Sequence, residues 1–89
     1  MSVEPELRRL VERWQQLPLD QALSRMPVVR PVVQRLADAV ADAEGRTPTL
    51  VPDLGPGTVM DQLTVMVYDA GRAGLDPEPD LEQLRRELS

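Results

Sequence analysis

Apolar residues recur along this chain at the spacing of helices, and prolines and glycines cut the recurrence into segments. Leu7, Leu10, Val11, Trp14 and Leu17 share one arc, with Arg8, Arg9, Glu12, Arg13, Gln15 and Gln16 on the remainder. That pattern predicts an amphipathic helix over residues 5–17, with Pro5 in its first turn and Pro18 ending it. Residues 19–26 fit a two-turn helix with Leu19, Ala22, Leu23 and Met26 inward, interrupted by Pro27. Over residues 29–44, Val29, Val32, Val33, Leu36, Ala37, Ala39, Val40 and Ala43 lie opposite Arg30, Gln34, Arg35, Asp38 and Asp42. This is a longer helix, with Pro31 either near its start or kinking it one turn in, and Gly45 as its stop.

Residues 46–57 hold three prolines and two glycines, too many breakers for regular structure, and read as a loop. Its Leu50, Val51 and Leu54 are expected to fold back on the core, because a solvated linker seldom carries three large aliphatics. Thr58 followed by Asp61 resembles a capping box. It opens a helix over residues 58–72 with Val59, Met60, Leu63, Met66, Val67 and Ala70 inward, closed by Gly71 and Gly74. The β-forming residues at 63–68 leave a strand as the alternative there. An acidic, proline-led start then precedes a helix over residues 79–88 with Leu81, Leu84 and Leu88 inward and Glu82 and Arg86 paired at i,i+4. The sum is an all-α fold: one domain over residues 1–89, a small bundle of four to five short helices joined by proline- and glycine-rich turns. Its core is aliphatic, with Trp14 inside and the indole N–H reaching a loop carbonyl.

Composition narrows the chemistry. The 89 residues include no His, Cys, Lys, Asn, Phe or Ile, so histidine- or lysine-activated nucleophiles, zinc ligation and disulfides are excluded by inventory. The three serines, Ser2, Ser24 and Ser89, have no such base to activate them. Asp38 and Asp42 with Asp53, Asp61 and Asp69 match no known cation-loop spacing and read as solvated faces, so neither a metal site nor a cofactor is expected. Gly55, Gly57 and Thr58 before a helix are a weak anion-binding pattern, lacking the lysine or longer glycine run of a nucleotide loop. A helix-turn-helix across residues 20–35 is disfavoured by Pro27, Pro31 and the acidic Asp38 and Asp42.

Fifteen acidic residues against ten arginines give a formal charge of −5. With no basic run, direct nucleic-acid binding and membrane docking are not expected. The acidic N-terminus is unlike a secretory signal, which makes a cytoplasmic location the expectation. Arginine in place of every lysine is the bias of a GC-rich bacterial genome. Enzymatic activity is not expected.

One feature exceeds the needs of a core. With the main arc of the 58–72 helix turned inward, Val65 and Tyr68 remain on the opposite side, between Asp61 and Arg72. Burial under the 50–54 loop or the short second helix is the simpler reading, because helices apolar nearly all round are usually covered. The other is a contact surface for a second copy or another protein. The leading function is therefore a non-enzymatic interaction or self-associating module. The alternatives are an acidic inhibitor of a basic, nucleic-acid-binding partner, and a ligand or metal binder using carboxylates and arginines.

Overall fold

A computed structural model of the chain describes residues 3–88; Met1, Ser2 and Ser89, and with them part of the N-terminal reading, lie outside that range. Four helices follow in order: α1 (Glu4–Gln15), α2 (Leu19–Ala43), α3 (Val59–Arg72) and α4 (Glu78–Leu88). Residues 63–68 are helical, so the strand alternative is excluded.

The main departure from the sequence expectation is α2. Two helices separated at Pro27 were expected; a single helix of 25 residues runs through both Pro27 and Pro31. Ala22, Met26, Val29, Val33, Leu36 and Val40 are all buried, and their alternating spacing of four and three residues forms one unbroken apolar seam past both rings. The prolines stand four residues apart on the exposed side. The carbonyls of Leu23 and Pro27, deprived of their i+4 amide donors, therefore lie toward solvent rather than in the core. Because the longer helix sets the phase, Leu19 and Leu23 fall on that outer row and are exposed, contrary to expectation. Ala43 is exposed as well, and Ala41 is buried in its place. No turn exists for a helix-turn-helix.

Each helix packs on two others, α2 and α1 both lying against α3 and α4. All four contribute to one apolar cluster, in which Leu63, Leu81, Leu84 and Val29 are wholly buried. The α4 helix packs within its own chain through Leu81, Leu84 and Leu88. Arg35 donates to Asp80 at 2.7 Å, and Arg85 to Glu6 at 2.5 Å, clipping α4 to α2 and α1. Pairs as exposed as these add little stability and mainly orient the helix.

Helix ends follow local chemistry. In α2, Gly45 adopts φ 70°, Gly45 N–H reaches the Asp42 carbonyl, and Arg46 N–H reaches the Ala41 carbonyl at 2.7 Å. Gly74, with φ 79°, closes α3 with the same paired bonds, to Gly71 and Ala70. Both are C-terminal motifs that need a left-handed residue. At the start of α3 the expected Thr58–Asp61 capping box does not form. Thr58 already has near-helical angles, φ −111° and ψ −18°, and the Gly55 carbonyl takes the amides of Thr58 and Val59 in a preceding turn. Asp76 accepts from the Glu78 amide at 3.1 Å and opens α4 instead.

The segment between α2 and α3 is an ordered strap. Its backbone groups are held by side chains of the helices beneath. Gln34 donates to the Thr49 carbonyl and accepts from the Val51 amide at 2.8 Å, while Arg30 donates to the Val51 carbonyl. Gln62 donates to the Pro52 carbonyl, and the Trp14 indole N–H to the Pro56 carbonyl at 2.8 Å. The bond expected for Trp14 is thus present, and the residue is buried. Only Val51 of the three strap aliphatics packs on the core; Leu50 is 85% exposed and Leu54 59%. The polar latches fix the backbone and leave those two side chains pointing outward.

Candidate interaction surface

The strap turns Leu50 and Leu54 outward, and among the described residues none buries the outer apolar pair of α3. Burial of Val65 and Tyr68 was the simpler expectation; they are 52% and 57% exposed. The same helix sends Val59, Met60, Leu63, Val67 and Ala70 into the core. One helix therefore divides two tasks between its faces, an inner face that holds the bundle and an outer apolar pair.

Charges bound that pair. Asp61 is exposed at the first turn of α3, and no described residue pairs with it. Arg72, its side chain 82% exposed, stands at the last turn and touches the Asp69 carboxylate at 2.5 Å. An acidic first turn and a basic last turn complement the helix dipole, which helps to explain how both charges sit at the ends of an otherwise apolar row. Tyr68 and Arg72 also border a groove of about 550 Å³ between α1 and the end of α3, floored by Leu7, Val67 and Leu75.

A second exposed apolar region involves α2 and the strap. Leu23, Pro27, Pro31 and Leu50 line a wide groove of about 770 Å³ between α2 and the strap, beside the Arg30 and Asp53 pair.

The remaining candidates are scattered. The Gly55 amide is bonded to Asp53 at 3.0 Å and the Thr58 amide to the Gly55 carbonyl, so two of the amides in the suggested anion cradle serve the chain itself. Asp38 accepts from Gln34, Asp53 faces Arg30, and Asp69 holds Arg72. Among the described residues no three His, Cys, Asp or Glu side chains converge on one point. Ser24 donates to the Gln21 carbonyl in its own helix. At the start of α4, loss of solvent and repulsion from Glu82 and Asp76 raise the Glu78 carboxyl above its usual value. Arg30 and Gln34, read in the sequence as outward polar residues, and Gln62, given no role there, prove to be the strap's anchors. Their signal was local: a loop rich in prolines, with a helix offering amide and guanidinium groups one turn apart.

No helix among the described residues is long and apolar enough to cross a membrane. No protein-family model matches the chain, and no curated protein or solved structure matches it.

Proposed function

We propose that this chain is a non-enzymatic, self-associating helical module whose contact surface is the outer face of α3. The observation that carries the reading is the half-exposed Val65 and Tyr68 on a helix whose opposite face already supplies the core. Aromatic and aliphatic side chains bounded by charge are the usual anchors of protein contacts. A charge of −5 with no basic run gives the surface nothing with which to hold a phosphate backbone. The absence of His, Cys and Lys argues in the same direction against catalysis. The replacement of every lysine by arginine and the acidic N-terminal segment support a bacterial, cytoplasmic setting for the module.

Sedimentation equilibrium of the full chain tests the reading. The unmodified protein is expected to pass from monomer to dimer as concentration rises through the micromolar range. Tyr68→Glu, at an exposed position, keeps the fold but weakens association about a hundredfold, because each dimer loses two anchors and buries two charges. Equal behaviour of the two proteins, with unchanged circular dichroism, removes the α3 face as the contact.

A further inference from the structure

The stripe Asp61, Val65, Tyr68, Arg72 is a palindrome in spacing, with steps of four, three and four residues. Reversing the helix maps Asp61 onto Arg72 and Val65 onto Tyr68, about a point between Met66 and Val67. We propose that two copies of this chain pair antiparallel through α3 on a two-fold axis at that point, with Asp61 of each copy against Arg72 of the other and Val65 against Tyr68. The inference rests on the self-association reading above and specifies its geometry.

Charge selects the direction. In an antiparallel pair both ends of the stripe bring opposite charges together; in a parallel pair Asp61 meets Asp61 and Arg72 meets Arg72. Like charges at both ends oppose the parallel arrangement, and antiparallel packing also opposes the two helix dipoles favourably. A two-fold contact must be self-complementary, each residue meeting its counterpart twice, and the stripe satisfies that condition. Its ends are about 16 Å apart along the helix, so both ion pairs flank the apolar centre without overlapping it. No described residue pairs with the Asp61 side chain. Among the described residues Arg72 is engaged by Asp69 alone, three residues earlier, and its five N–H donors allow it to hold a second carboxylate at the same time. By contrast, the groove between α2 and the strap has no comparable arrangement to select an occupant.

The test is a charge-exchange cycle on the full chain, read by sedimentation equilibrium at low salt. Asp61→Arg and Arg72→Asp each raise the dimer dissociation constant about tenfold, since two attractive pairs per dimer become repulsive. The double variant restores affinity to within about threefold of the unmodified protein, because every pair is re-formed with its charges exchanged. A double variant no tighter than either single one overturns the antiparallel register while leaving self-association intact. An unmodified protein that stays monomeric at every concentration, and is indistinguishable from Tyr68→Glu, overturns the function reading and this geometry with it. Should charge reversal at the helix ends disturb folding, Asp61→Asn and Arg72→Gln serve instead. Each is then expected to weaken the dimer about threefold, the pair together no more than either alone, with additive losses counting against the pairing.

Discussion

Trp14→Ala is expected to destabilise the monomer by about 3–5 kcal/mol, a large share of what a domain this size possesses. Trp14 is the one aromatic side chain in the apolar cluster, so truncation leaves a cavity that the aliphatic neighbours cannot fill. The loss also reaches the strap, because the indole N–H holds the Pro56 carbonyl just ahead of α3. Urea denaturation followed by circular dichroism measures the total. Trp14→Phe separates the parts: the ring volume is largely kept, the bond to Pro56 is not, and the cost falls to about 1–2 kcal/mol. Amide exchange in residues 46–57 should accelerate in both variants. An unchanged midpoint in Trp14→Ala would show that the residue does not anchor the core.

The second large effect separates the two faces of α3. Leu63→Ala should cost about 2–5 kcal/mol, because Leu63 is wholly buried at the seam with the neighbouring helices. Val65→Ala, two residues on, should change monomer stability by less than about 0.5 kcal/mol, its side chain being half-exposed. Both are measured by urea denaturation at concentrations too low for association. A cost for Val65→Ala comparable to that of Leu63→Ala would assign the outer face to folding and leave no surplus apolar pair to explain.

The inner arcs of α1, α3 and α4 are legible in the sequence because 3.6-residue periodicity reports burial directly, and the buried Leu7, Leu10, Leu63, Leu84 and Leu88 all follow it. What was not legible has two causes. Prolines were read as breaks, yet the seam from Ala22 to Val40 keeps its spacing through Pro27 and Pro31. A proline inside a helix removes one amide donor and crowds the carbonyl four residues back, and here both rings stand on the exposed side, where the helix accommodates them without breaking the seam. The same phase decides Leu19 and Leu23, which hydrophobicity alone would place inside. Leu50 and Leu54 failed for a different reason: polar latches from Gln34, Arg30 and Gln62 fix the strap's backbone, and the direction of its side chains follows from that long-range pairing. The α3 stripe was visible as a pattern, but whether anything covered it depended on the strap's path.

The most direct test of the central claim is a mixture of isotope-labelled and unlabelled chains at a concentration where the dimer predominates. Filtered nuclear Overhauser spectra then report contacts between chains alone. Cross-peaks are expected from the Val65 methyl groups of one copy to the Tyr68 ring of the other. A dimer whose intermolecular contacts involve Leu23 and Leu50, with none from Val65 or Tyr68, would contradict it.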